Sequence, residues 1–202
     1  MGAIGALSSI ANNSSPIVDD ETRLGQRIRE CRETRSLSLR ALAECSGVSR
    51  SMLSEIERGA KSPTIALLAA IAEGLRVPLS GLVSGGPPVS VAGQVIRAGE
   101  QRFIEDETGV RRINLGAPHE GSTVEFVRFS LPPGAASGTF AAHRAGTFER
   151  IHVERGKLEV RFGEQHVTLR EGDTLTYEAE VRHGFVNIGA KPAVVYLVIE
   201  RR

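Results

Sequence analysis

From residue 21 to about residue 84 the apolar positions recur every three or four residues; from about residue 94 onward they recur every second residue. The first period belongs to helices, the second to half-buried strands. Leu24, Ile28 and Cys31 mark one face of a first helix. Ser38 is placed to cap a second, with Leu39, Leu42 and Ala43 inward, and Gly47 suits the left-handed position that ends it. Ser49 caps a third, whose inward pair is Leu53 and Ile56. In "KSPTIALLAAIAEGL", Ser62 is expected as the cap and Pro63 at the first helical position, ahead of a stripe of Ile65, Leu68, Ile71, Ala72 and Leu75. "VPLSGLV" supplies a fifth, short helix.

The second half alternates. "TVEFVRFSL" and "KLEVRFG" read as strands, with Leu158, Val160 and Phe162 pointing one way. "EQHVTLREGDTLTYEAEVRHGFVNIG" adds strands separated by glycine turns, and "AVVYLVIE" adds one more. Many short strands between turn signals predict a sandwich or barrel. The Gly/Pro/Ser-rich "SGGPPVSVAG" between the halves reads as a linker. The expected plan is an α + β multidomain chain: a flexible tail over 1–20, a helical unit over 21–84, a linker over 85–92 and an all-β unit over 93–202.

Composition changes this picture little. With 41% hydrophobic and 24% charged residues over 202 positions, both halves have material for a core. A net charge of +1 excludes a chain-wide field for nucleic acid, so any such surface is local. Residues 21–84 hold 10 Lys/Arg against 7 Asp/Glu, whereas 93–202 hold 15 against 15. The excess therefore sits in the helical half. Two cysteines, Cys31 and Cys45, are too few for a disulfide framework and are expected as buried small hydrophobes in a reducing cytoplasm. No run approaches a membrane span, and "MGAIGALSSIANNSSPIVDD" lacks the basic start of a secretory signal, so the expectation is a cytoplasmic protein without membrane contact.

A helix, a tight glycine turn and a second helix capped two residues later form a helix-turn-helix. The stretch "SLSLRALAECSGVSRSMLSEIERGAKSPTIALLAAIAEGLRVPLSGLV" resembles the Cro/C1-type (XRE) DNA-binding domain over its whole length. The resemblance implies a double-stranded DNA operator, read by Arg50, Ser51 and Glu55, with Ser49 and Ser54 on the same surface. Arginine reads guanine and glutamate accepts from cytosine. Arg32, Arg40, Arg58 and Lys61 fall where that family contacts phosphates. Leu39 stands where the family often has a phosphate-anchoring glutamine, so that contact is expected to be lost or moved to Arg40. Two copies on half-sites about 34 Å apart are expected, so a homodimer paired through the β unit.

The β unit resembles a cupin, a double-stranded jelly roll. His143, Glu149 and Gly156 in "AAHRAGTFERIHVERG" fit the family's first motif, with Ala145 where a second histidine is usual. Gly172 and His183 through Asn187 fit the second motif, with Glu178 and Glu180 where proline and glycine are usual. His143, Glu149 and His183 would converge as two imidazoles and one carboxylate. That set holds zinc or iron(II) with positions left open, or serves metal-free as hydrogen-bond partners for an organic effector. Both alternatives stand at this level. Tyr177 is expected to line or plug the barrel. His152 turns to the opposite face from Glu149, and His119 and His166 lie in turn-like surroundings. Arg111, Arg112, Arg128 and Arg150 are candidates for a ligand carboxylate, and nothing in the sequence selects among them.

The resemblances together imply a sequence-specific transcription regulator rather than an enzyme. Its cupin would sense a small-molecule effector, with amino-acid or sulfur-compound metabolism as the nearest association. A metal-dependent enzyme of the non-haem oxygenase type, or an antitoxin or adaptor with a purely dimerising cupin, are the alternatives.

Overall fold

Three hydroxyls start three helices. Ser38 Oγ accepts from Ala41 N at 3.1 Å, Ser49 Oγ from Met52 N at 3.3 Å and Thr64 Oγ1 from Leu67 N at 3.2 Å. Each fills a donor that a helix start leaves open. In the computed structural model, which describes residues 21–84, 95–116 and 122–202, they begin α2 (Leu39–Ser46), α3 (Arg50–Glu57) and α4 (Ile65–Leu75). Helix α1 (Glu21–Thr34) precedes them and α5 (Leu79–Ser84) follows. The expected tail, the 85–92 linker and His119 lie outside the described residues.

Helix α4 starts two residues later than its sequence predicts. Ser62 and Pro63 precede it, and Thr64, with extended backbone at φ −64° and ψ 159°, is the cap. Gly47 ends α2 at φ 70° with its N–H on Ala43 O, the left-handed cap the pattern asked for. Leu53 and Ile56 are buried, which turns the opposite side of α3 outward. The cysteines depart from expectation: Cys31 is half-buried and Cys45 exposed, so neither is a core hydrophobe.

Helix α1 crosses the end of α3 closely; a Cβ on Gly25 would lie 2.2 Å from the Ile56 carbonyl oxygen. Beside this crossing Arg32 pairs with Glu57 through two contacts, Nε to Oε1 at 2.7 Å and Nη2 to Oε2 at 2.8 Å. Its Nη1 also donates to Leu37 O at 2.9 Å.

The β unit contains β1 (Phe103–Glu105), β2 (Arg111–Asn114), β3 (Val124–Leu131), β4 (Thr147–Arg155), β5 (Lys157–Phe162), β6 (Gln165–Arg170), β7 (Thr174–Glu178), β8 (His183–Asn187) and β9 (Ala193–Arg201). One sheet runs β1-β2-β3-β9-β4-β7 and the other β6-β5-β8, with neighbours antiparallel. Glu125, Val127, Phe129 and Leu131 form the inward set of β3; Thr147, Glu149, Ile151 and Val153 form that of β4. Phe129 and Phe185 meet edge to face at 5.1 Å across the two sheets. Asn187 is a staple: its Nδ2 lies 3.0 Å from Leu131 O and 2.9 Å from Lys191 O, and its Oδ1 accepts from Gly189 N.

The two units touch through α4 and α5. Ser80 N donates to Glu125 Oε2 at 3.2 Å, Arg144 Nε to Glu73 Oε1 at 2.8 Å, and a Cβ on Gly138 would lie 3.0 Å from Ala66 Cβ. No helix among the described residues is long and apolar enough to cross a membrane.

Candidate functional site

Glu149 points inward from β4, and Tyr177 sits directly opposite it on β7. The Tyr177 hydroxyl donates to Glu149 Oε2, which leaves Oε1 for two histidines. His183, at the start of β8, places Nε2 at 3.4 Å from that oxygen, and His143, on the segment leading into β4, places its own Nε2 at 3.2 Å. The His183 Nδ1 lies 2.8 Å from the Val181 carbonyl. A carbonyl only accepts, so Nδ1 carries a hydrogen and the ring aims Nε2 at the carboxylate. That Nε2 is buried and has no hydrogen-bond partner. A lone pair facing a carboxylate oxygen is stable only with a proton or a metal ion between them.

The donor atoms of His143, Glu149 and His183 all lie within 4.8 Å of one another. Two imidazole nitrogens and a carboxylate, with one imidazole oriented from behind by a backbone carbonyl, fit a divalent cation. Burial opposes charge on His143, but the Glu149 and Glu73 carboxylates outweigh it and raise its pKa to about 9. Burial also works against the Glu149 anion. Hydrogen bonds from His143 and Tyr177, with the neighbouring His183 ring, win, holding it well below the ordinary carboxylate range. Burial and the neighbouring Glu149 push the Tyr177 phenol far up, so it remains a donor.

Beside the triad lies a cavity of about 30 Å³, walled by β-unit residues on one side and by Ala69, Ala72, Glu73, Val77 and Leu79 of the helical unit on the other. A buried ion group borders it. Glu125 is met by Arg112 Nη2 at 2.9 Å and Arg201 Nη2 at 2.8 Å. Burial would raise Glu125, but Arg112 and Arg201 hold it below its ordinary value. Among the four arginines left open by the sequence, Arg112 is the one lining this cavity. Arg111 pairs with Glu105 and Arg150 with Glu200. His152 is exposed and meets Thr174 Oγ1 at 2.9 Å, and His166 is exposed near Glu159.

The second surface is on α3. Arg50, Ser51, Ser54, Glu55 and Arg58 line one shallow concavity with Leu39. Arg50, Ser51 and Ser49 are exposed, as are Arg40 and Lys61. Arg40 meets Glu44 at 3.0 Å, but both side chains are mostly in solvent, and such pairs exchange readily for a phosphate. Arg32 is a correction. Its side chain is 11% exposed and spent on Glu57 and Leu37 O, so it joins α1 to α3 rather than facing a phosphate.

Glu73, Glu125 and Arg201 were not anticipated. The signals were present: Glu125 occupies an inward position of an alternating strand, and Glu73 is the lone charge in "IALLAAIAEGL".

Comparison with known proteins finds relatives for both halves of the chain. A helix-turn-helix family profile matches residues 28–82 and a cupin domain profile matches residues 127–200. The HTH-type transcriptional regulator SutR of Escherichia coli (strain K12) is 33% identical over 82% of this chain and 88% of its own length. The HTH-type transcriptional regulator PuuR of the same strain is 27% identical over 85% and 91%. A crystal structure of an HTH_3 family transcriptional regulator from Vibrio cholerae superposes with a TM-score of 0.77 at 28% identity, covering 91% of this chain and 97% of that one.

Proposed function

The chain belongs to the helix-turn-helix transcription regulators that carry a cupin domain, and from that premise we propose that its cupin binds a small-molecule effector and passes its occupancy to the operator-binding helices. The observation that carries this reading is the shared wall: α4 of the DNA-binding domain closes the cavity beside His143 and Glu149. An occupant of that site changes what α4 can pack against, so its binding energy differs between two arrangements of the domains.

On this reading residues 21–84 are the DNA-binding unit, 85–92 the linker and 93–202 the sensor. Arg50, Ser51 and Glu55 read base edges, Ser49 and Ser54 border them, and Arg40, Arg58 and Lys61 hold phosphates. His143, Glu149 and His183 would hold a divalent metal, zinc or iron(II), which would supply a Lewis acid for an oxygen or nitrogen of the effector; Tyr177 holds the Glu149 carboxylate in place. An effector from amino-acid or sulfur-compound metabolism is part of this reading. Two copies pair through the β unit in the cytoplasm. The exposed Val124 and Phe126 on the outer face of β3 support that surface, because apolar sheet positions seldom stay in water. Regulation rather than turnover is favoured, since a wall of the cavity belongs to the DNA reader.

The test is operator selection from a random duplex pool, followed by operator affinity with and without added zinc or iron(II) and candidate metabolites. Glu149→Ala combined with His183→Ala removes the response. A response unaltered in that double variant places sensing elsewhere.

A further inference from the structure

Glu73 is a carboxylate of the DNA-binding domain lodged in a site built by the cupin. Its Oε1 takes the Arg144 Nε hydrogen at 2.8 Å, and its Oε2 lies 3.8 Å from His143 Nδ1, a buried nitrogen with no hydrogen-bond partner of its own. We infer that Glu73 stands in for the ligand: the pocket takes a small carboxylic acid with an apolar body, which replaces Glu73 beside His143 and Arg144, so that ligand occupancy and docking of α4 exclude each other. This rests on the reading of the cupin as a sensor and adds the class of its ligand and the group it displaces.

Charge points to an anion. Around the domain boundary stand Arg112, Arg144 and Arg201 against Glu125 and Glu149 once Glu73 is withdrawn. Among these five groups the guanidiniums then outnumber the carboxylates by one. Arg112 and Arg201 are already engaged by Glu125. The unpaired cation is therefore Arg144, whose planar fork matches a carboxylate.

Size points to exclusion. The closed cavity of about 30 Å³ holds roughly two water molecules, whereas small-molecule pockets run from about 300 to 1,000 Å³. A metabolite therefore enters only as α4 retreats. The cupin wall that α4 leaves behind is apolar, formed by Phe129, Phe140, Leu197 and Ile199, which is why the acid carries an apolar body. Glu73, tethered to the same chain, competes at an effective concentration on the order of millimolar.

Acetate is the fragment that Glu73→Ala removes, so it is the probe. Full-length wild-type, Glu73→Ala and Glu73→Gln chains are titrated with sodium acetate at constant ionic strength, followed by the imidazole resonances of His143 and His183, with acetamide as the uncharged control. Expected is saturable acetate binding to Glu73→Ala at least tenfold tighter than to wild type, with acetamide not saturating. Glu73→Gln, which keeps the volume and drops the charge, falls between them. Equal acetate affinity in wild type and Glu73→Ala, or acetamide binding as tightly as acetate, overturns the inference. Operator affinity in the same samples separates the two readings. Acetate selectivity in Glu73→Ala without a change in operator affinity keeps the carboxylate site and removes the sensory role. A zinc-dependent change in operator affinity without acetate selectivity does the reverse.

Discussion

Tyr177 and Glu149 face each other across β7 and β4, and the phenol hydrogen closes on one carboxylate oxygen while the other is left to His143 and His183. The division of labour within a single side chain sets what removal of the phenol does. Tyr177→Phe deletes a hydrogen bond to a buried anion and leaves an oxygen unsatisfied, so it costs about 1.5–3 kcal/mol of unfolding free energy. Urea denaturation of the two proteins measures this. A loss below about half a kcal/mol would mean that the contact is not stabilising.

Arg50→Ala should narrow the gap between operator and unrelated DNA by about 1–3 kcal/mol while leaving the melting temperature unchanged. Arg58→Ala and Lys61→Ala should instead weaken binding to all sequences alike. Each should reduce the slope of log affinity against log salt by about 0.9. Footprinting and a salt series distinguish these outcomes, and an unchanged Arg50→Ala footprint speaks against α3 as the reader.

Arg32→Ala behaves differently from its basic neighbours. It leaves Glu57, 6% exposed, without its partner and should cost about 3 kcal/mol of stability. The salt slope of DNA binding should not move. A reduced slope without loss of stability would return Arg32 to the phosphate-contacting set.

Zinc added at a hundred times its dissociation constant should stabilise the wild-type chain by about 2.7 kcal/mol. Glu149→Ala should abolish that gain. Thermal melts with zinc and with a chelator read the difference, and equal zinc stabilisation of both proteins argues that the metal sits elsewhere.

Arg76 ends α4 in the left-handed region at φ 58°, where a side chain meets the following carbonyl. Glycine there should stabilise the protein by about 1 kcal/mol, as Arg76→Gly relieves that contact. A melting temperature that falls would show that the arginine side chain makes a compensating interaction.

Much of this architecture was legible because local chemistry and burial agree. Leu53 and Ile56 sit three apart behind a serine cap, so helix, boundary and outward face follow together. The alternation around Glu149 likewise set it inward and His152 outward. Two kinds of feature escaped. Thr64 outcompeted Ser62 as a cap because the choice depends on which backbone turns extended, which residue types alone do not decide. Arg32 carries the same charge as its neighbours, and only the crossing of α1 over α3 brings Glu57 within reach. The cavity wall failed to show for a related reason: Glu73 and Arg144 are 71 positions apart, and no periodicity within either unit encodes a contact between them.

Helix α4 touches the cupin with the side that carries Glu73 while its buried stripe packs into the same five-helix unit that displays Arg50. A push on α4 therefore moves the reader as one piece. In the proposed pair, which letters of DNA are recognised would stay fixed, and what the cupin would tune is where two readers point relative to each other, hence the spacing of the paired sites they could grip.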